Sequence, residues 1–381
     1  MDGTVFFISE LRAPDDPRAT STHIMTYTVL RGIRENGLRT VLFAICEDPG
    51  EAERLSRLSP GLTDVTTVLP SRFGGIKKGD ALTRLIRMLS TGLRAGFYKK
   101  IDVPRFEKPS IILTHCPSVE AAYYGDELHR LFPGVPYYQF WSDPLAMSGL
   151  TPETVGPKRL PFRLAEGRAL KHADRIIYGT APLCACQKKL YPRLASKMFY
   201  SDVPCASEEI DGEKDSRRAV YAGNYYTAFR DIRPLVSAAA NDSRFTLDIF
   251  GEGDVPDPGV PNVVFHGRVP PGELSELTKT HGISVCVLNS GCVQIPGKVF
   301  YEAGSGRRVL VVRDGRNPYS GMICDYLTKY GAFAFCDNDE KSLSDALSAL
   351  ASEGTAVLPD VSRFGPRAVS RIIIDGGLGD D

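Results

Sequence analysis

Residues 293–312 read VQIPGKVFYEAGSGRRVLVV: a Pro-Gly turn, a helix-period segment from Lys298 to Ser305 and, behind Gly306, the apolar β-branched run Val309 to Val312. Ile295-Pro296-Gly297 suits a tight loop in which backbone amides approach a ligand, and Lys298 then stands in the first turn of the helix. A cation there works against helix stability, because the N-terminal end of the dipole is already positive. An anionic ligand resolves the conflict, since amides, dipole and ammonium all favour phosphate.

At 381 residues the chain is too long for one ordinary core and fits two domains of about 150 to 200 residues each. Lys+Arg and Asp+Glu are both 46, so no global charge points to nucleic acid, and any basic surface must be local. The start MDGTVFFISE lacks the basic, long apolar pattern of a signal peptide, and no stretch of about 18 apolar residues spans a membrane. Nine dispersed cysteines read as reduced cytosolic thiols. Cys184 and Cys186 are the one close pair; without a second pair at ligand spacing they read as structural filler, and no metal site is expected.

Along the first half, strands are expected at Thr4 to Ile8, Thr40 to Ile45, Ser110 to Thr114, Pro136 to Trp141 and Lys197 to Tyr200. Helices are expected at Ile24 to Ile33, with Gly37 as its stop, and at Leu164 to His172. The initial strand-loop-helix-strand order is a βαβ unit with parallel strands. His115 stands at a strand's carboxyl end, where open α/β sheets bind ligands; it either serves a site or hydrogen-bonds loop backbone. Asp143 either holds its loop as an Asx turn or meets substrate, and His23 is either a substrate contact or a solvated loop residue. The charged segment 205–217 reads as a linker between domains 1–204 and 218–381. In the second half the strands end at Gly223, at Gly251 and Gly253, at Gly267 with Val269 behind it, and at Asn289. Four such ends suit a crevice that needs close backbone approach.

The stretch 293–312, with these strand ends, resembles the nucleotide-sugar site of the GT-B glycosyltransferases of family 4. In that family a PSK-like turn opens a helix that carries a glutamate and ends in a small-Gly-Arg step before a strand. His115-Cys116-Pro117 resembles the family's His-Glu-Pro strand end, Ser142-Asp143-Pro144 its Arg-Asp-Pro-Trp turn, and Ala173 to Thr180 its ADRVIVTS strand. Two departures stand out. The family's N-terminal glycine pair is replaced by Ala19-Thr20-Ser21-Thr22-His23, and its two glutamates, separated by seven residues, fall without a gap on Val293 and Tyr301. A shift of one residue gives Gln294 and Glu302, and one residue turns a helix face by about 100°.

The resemblance implies an α/β fold of the GT-B type, two Rossmann-like domains facing each other across a cleft, with a last helix at about 362–374 able to pack back on the N-terminal domain. It implies a metal-independent, hexosyltransferase-like enzyme without a cofactor, moving a sugar from a nucleotide-diphosphate sugar to a polysaccharide or lipid-linked glycan acceptor with retention. His115, Lys298 and Arg230 are the expected catalytic residues. Gly223, Arg230, Gly251, Gly253, Gly267, Val269, Gln294, Gly297, Lys298 and Glu302 are expected to bind the donor, with Glu302 on the ribose or else a solvated helix glutamate. The alternatives are a nucleotide-sugar 2-epimerase on the same fold and a non-catalytic binder. Finally, residues 75–105 carry Lys77, Lys78, Arg84, Arg87, Arg94, Lys99, Lys100 and Arg105 against Asp80 and Asp102, with a leucine-rich helical face. That face packs on the domain, or the segment lies on an anionic membrane and makes a cytoplasmic protein peripheral to it.

Overall fold

The structure, a computed structural model, describes residues 3–13, 16, 20–46, 49–57, 63–70, 107–116, 119–147, 159–204, 213–352 and 362–379. The basic segment 75–105 lies outside the described residues. The chain forms two compact units, Met1–Pro204 with Phe364–Asp381, and Cys205–Arg363.

Unit 1 runs β1 (Thr4–Glu10), α1 (Ser21–Glu35), β2 (Arg39–Cys46), α2 (Pro49–Arg57), β3 (Val65–Pro70), β4 (Ile111–His115), α3 (Val119–Leu131), β5 (Tyr137–Trp141), α4 (Leu160–Leu170), β6 (Arg175–Tyr178), α5 (Ala181–Leu190) and β7 (Met198–Tyr200). The strands form one sheet in the order β3-β2-β1-β4-β5-β6-β7, every neighbouring pair parallel. Burial on both faces requires apolar runs, and Val5 to Ile8 and Val41 to Ile45 supply them. Helix α1 stops as its glycine predicts: Gly37 takes φ 78°, with Gly37 N–H donating to Arg34 O (2.8 Å) and Leu38 N–H to Ile33 O (3.3 Å).

Unit 2 runs β8 (Asp215–Ala222), α6 (Arg233–Ala240), β9 (Thr246–Phe250), β10 (Val263–Gly267), α7 (Pro271–Thr278), β11 (His281–Val287), α8 (Lys298–Ala303), β12 (Arg308–Arg313), α9 (Ser320–Thr328), β13 (Phe333–Asp337) and α10 (Glu340–Ser352). Its sheet order is β10-β9-β8-β11-β12-β13, again all parallel. Asp215, Ser216 and Arg217, assigned to the linker by their charge, are the first residues of β8: Asp215 N–H donates to Thr280 O (2.8 Å), so sheet pairing overrides composition. Likewise α6 begins at Arg233, where Asp231 accepts from the Arg233 backbone N–H (3.0 Å).

After unit 2 the chain returns to unit 1 as α11 (Pro366–Ile374). This helix lies on α1, where Ser370 donates to Val29 O (3.0 Å) and Asn36 donates to Arg367 O (2.9 Å). Gly32 makes the approach possible, because a Cβ there would collide with the Pro366 carbonyl. Beyond α11, Leu378 exchanges backbone hydrogen bonds with Tyr200 at the edge of β7 (2.7 and 3.1 Å). Among the described residues, no helix is long and apolar enough to cross a membrane.

Gly32→Leu should drive α11 off α1 and lower the unfolding free energy by about 1–3 kcal/mol. Urea denaturation checks this, and an unchanged midpoint would show that the α1–α11 contact contributes nothing.

Candidate functional site

In a doubly wound sheet the chain leaves the first strand in both directions, and a crevice opens at the carboxyl ends of the two strands flanking that reversal. Strand order places the reversal between β1 and β4 in unit 1 and between β8 and β11 in unit 2.

At the unit 2 position, β8 ends in Tyr221-Ala222-Gly223 and the chain beyond β11 begins Leu288-Asn289. Lys298 reaches back from the start of α8: its Nζ donates to Ala222 O (3.2 Å) and lies 3.7 Å from the Tyr221 ring centroid. Gly223 leaves room for it, since a Cβ there would sit 3.2 Å from Nζ. Arg230 points to the same strand ends, with Nε donating to Asn289 Oδ1 (2.6 Å). Asn289 in turn donates to Gln294 O (3.3 Å), and Asn317 donates to Asn289 O (2.6 Å) and Cys292 O (3.0 Å). The loop from Asn289 to Pro296 is thus held by amide side chains at both sides. Burial, with the nearby Arg230 charge acting in the same direction, brings the Lys298 ammonium down from its ordinary 10.5 to about 8.

The other expected residues divide. Gly251 packs on Gly223 so closely that a Cβ would strike the Gly223 carbonyl; its N–H donates to Gly267 O (2.7 Å), and it takes φ 129°. Gly253 packs in the same way on Tyr225. These glycines therefore serve the approach of one strand end to the next. Gly267 takes φ 69°, and Val269 and Gln294 are half-buried in loops. Gly297 caps α8 in a helical conformation, and the first-turn amides differ from expectation: Val299 N–H donates to Pro296 O (3.0 Å) and Phe300 N–H to Gly297 O (3.1 Å). The cation, rather than these engaged amides, is what α8 offers an anion. Glu302 is not a solvated helix residue: Arg307 Nη1 donates to its Oε2 (2.7 Å), while Arg307 Nη2 bonds Thr278 O (2.9 Å) and Oγ1 (2.7 Å). Through Arg307 this carboxylate ties α8 to α7. Tyr221 and Asn317 escaped the sequence reading, because a strand tyrosine and a loop asparagine carry no local signal.

At the unit 1 position the ring of His115 is fully buried. Its Nδ1 lies 2.7 Å from Thr26 Oγ1 on α1, and its Nε2 lies 3.0 Å from Ser142 Oγ just past β5. Burial lowers its pKa to about 3, so the ring is neutral. Both nitrogens are engaged within the unit, one by Thr26 and one by Ser142. His23 is neither a loop residue nor solvated: it lies buried in the first turn of α1, where its Nδ1 accepts from the Thr20 N–H (2.9 Å). Asp143 accepts from Ser142 Oγ (3.2 Å) and Thr22 Oγ1 (3.4 Å), and burial raises its pKa. The turn carrying Asp143 is pinned from below by the buried Glu166, which accepts from Leu145 N–H (2.8 Å), Ala146 N–H (3.3 Å) and Tyr191 Oη (2.7 Å). Among the described residues, no group of His, Cys, Asp and Glu is arranged to hold a metal ion.

No family model matches this sequence. No curated protein matches it either. Solved structures do match in fold. HepE of Anabaena, in complex with UDP and glucose, is 12% identical with 98% of each chain covered and a TM-score of 0.57. TarM is 10% identical over 98% of this chain and 96% of its own, with a TM-score of 0.59. A Listeria monocytogenes protein described as a UDP-N-acetylglucosamine 2-epimerase is 10% identical over 98% and 95%, with a TM-score of 0.51. The two parallel-sheet units are those of the GT-B fold.

The Lys298 amine should titrate near 8 in the folded protein, and Arg230→Gln should move that midpoint upward by removing a like charge. NMR of isotopically methylated lysines reads both. Because the unfolded chain keeps this proton up to its ordinary 10.5, it binds more protons than the folded state between the two values. Stability therefore rises with pH across that window. A Lys298 midpoint near 10.5 would contradict the buried position.

Proposed function

We propose that this protein is a glycosyltransferase whose unit 2 holds the diphosphate of a nucleotide-sugar donor through Lys298 and Arg230. The observation that supports the reading is the convergence of these two cations on the carboxyl ends of β8 and β11. Two positive charges brought together in a partly buried place repel each other until an anion joins them. When the bond between sugar and diphosphate breaks, negative charge grows on the leaving diphosphate, so fixed cations stabilise the transition state more than the ground state. The strand ends at Gly223, Gly251, Gly253 and Gly267, with Val269, Gln294 and Gly297, line the donor's course, and Glu302 offers its Oε1 to the ribose while Oε2 stays with Arg307. HepE of Anabaena, of the same fold, was crystallised with UDP-glucose. The finer reading comes from the resemblance to family 4: a hexosyltransferase that needs no metal and transfers with retention to a polysaccharide or lipid-linked glycan precursor. A cytoplasmic position, peripheral to the membrane through residues 75–105, rests on the sequence alone.

A second reading, epimerisation at C2 of the donor sugar, is favoured by the likeness to the Listeria protein. Nucleoside diphosphate release separates the two: transfer or hydrolysis produces it, whereas epimerisation yields an isomeric nucleotide sugar visible by NMR.

Lys298→Met should weaken UDP binding by about 1.5–3 kcal/mol, the worth of a charge-assisted contact. In the free protein it should not lower Tm, because it removes a poorly solvated charge. In the wild type, affinity should fall as pH rises above about 8, where Lys298 loses its proton, and the mutant should lose that dependence. Calorimetry from pH 7 to 9 measures all of this. Equal affinity in both proteins would end the phosphate assignment.

A thermal-shift screen over UDP-, GDP- and ADP-sugars identifies the donor, since a ligand at 100 times its Kd stabilises by about 2.7 kcal/mol. No stabilisation by any of them would remove the donor reading altogether.

A further inference from the structure

Strand β8 opens irregularly. Asp215 pairs with His281 of β11 and Ala219 with Ile283, so Ser216, Arg217 and Arg218 stand opposite the one residue Gly282. Gly282 makes this bulge possible, because a Cβ there would collide with the Asp215 carbonyl. Successive side chains of a regular strand point to opposite faces of its sheet. Here the bulge lets the successive residues Arg217 and Arg218 line the same cavity, of about 350 Å³, which Arg244 also lines. The cavity lies at the amino ends of β8, β9 and β10. Four residues of β8, about 13 Å, separate Arg218 from Ala222, whose carbonyl holds Lys298 at the other edge of the sheet.

The three arginines are differently occupied. Arg244 is forked onto Asp242, with Nε 2.9 Å from Oδ1 and Nη2 2.6 Å from Oδ2, which fixes its direction. Arg218 donates through Nη1 to Thr280 Oγ1 (2.7 Å), and its Nη2 reaches Asp248 Oδ2 at 3.4 Å. The short contacts of that carboxylate belong to His266 (2.6 Å) and His281 (2.7 Å), so it compensates the Arg218 charge weakly. Among the described residues the Arg217 guanidinium has no hydrogen-bond or ion-pair partner; Asp215 Oδ1 accepts from the Arg217 backbone N–H instead (2.8 Å). Side by side, such guanidiniums repel each other until an anion joins them. The sheet face that packs on α6 and α10 carries Ala219, Leu247, Ile249 and Val263, whereas Thr246 and Val264 beside the cavity are exposed.

We propose that this cavity binds a small phosphorylated compound, with its phosphate held by Arg217 and Arg218 and its carbon skeleton against Pro261 and Val264. One guanidinium fork satisfies the two oxygens of a carboxylate, whereas two forks side by side match the three free oxygens of a phosphate ester. Arg244, held by Asp242, closes the third side. The volume falls at the lower end of small-molecule pockets, about 300–1,000 Å³, and is more than a bare ion needs. Pro261 and Val264 offer the apolar wall that a carbon skeleton requires. The site is independent of the donor position and of the glycosyltransferase reading, since it uses the amino edge of the sheet and none of the same side chains.

Calorimetric titration of the full chain with inorganic phosphate, glucose 6-phosphate and glucose, at physiological salt, tests the site. Both phosphates should bind, the sugar phosphate more tightly, and glucose should not. Arg217→Gln should weaken both phosphates about tenfold or more. Its Tm without ligand should match the wild type, because the guanidinium it removes has no partner in the protein. Lys298→Met, which takes a cation from the donor position, should leave this binding unchanged. Absence of phosphate binding in the wild type, or binding that survives in Arg217→Gln, overturns the proposal. Binding lost in Lys298→Met places the anion at the donor position and overturns it equally. Inorganic phosphate binding as tightly as glucose 6-phosphate overturns the role given to Pro261 and Val264.

Discussion

Parallel pairing of strands is the constraint from which the rest of the structure follows. A parallel neighbour can be reached only by a crossover, so every strand in a sheet points the same way and all carboxyl ends gather on one edge. In both units the sheet grows outward from its first strand, β1 or β8, in two directions. Two groups of polar side chains gather at the carboxyl ends of these sheets. His115, Ser142 and Asp143 follow β4 and β5, and Lys298, Arg230 and Asn289 surround the ends of β8 and β11.

Parallel sheets are buried on both faces, so polar groups within them need partners of their own. Strand β5 shows how this is met: Trp141 donates to Gln139, whose amide donates to Tyr137 Oη and Ala169 O, and Tyr137 donates to Ala122 O. In unit 2, Asp248 on β9 lies 2.6 Å from His266 Nε2 and 2.7 Å from His281 Nε2. Although burial alone would raise its pKa, these two histidines hold the carboxylate well below the usual range. In both clusters the polar groups have protein partners, and Arg218 adds a third contact to Asp248 (3.4 Å). The Lys298 ammonium is different: one carbonyl and one aromatic ring hold a group with three donors, in a place where solvation is poor. Such a local departure from full satisfaction marks a functional position more often than a structural one.

Glycine has two distinct uses here. Gly37 and Gly267 are needed for their positive φ, and a side chain at either would meet open space. Gly32 and Gly251 are needed because a neighbouring carbonyl occupies the volume of a Cβ. The second kind lets α11 lie on α1, and lets the end of β9 lie on the end of β8, beside the lysine.

The sequence by itself determined the α/β class and most strand positions, because β-branched runs ending in glycine or a polar residue are local signals. Thr40 to Ile45 lies within β2, and Val309 to Val312 lies within β12. Helices α2, α3, α5, α7, α9 and α10 and strands β3 and β13 were not read in advance, since short amphipathic segments say little about their partners. Only the tertiary structure decided what each polar side chain does. Glu302 looked like a ligand residue in sequence, and it is Arg307, brought beside it by the turn from α8 into β12, that occupies one of its oxygens. Asp143 read equally as a turn residue or a substrate contact, and it is the approach of α1 to the end of β5 that brings Thr22 and Ser142 within reach of its carboxyl group. The reason is physical. Strand and turn propensities act over a few residues, whereas the hydrogen-bond partner of a buried side chain is chosen by whatever the fold brings within about 3 Å of it.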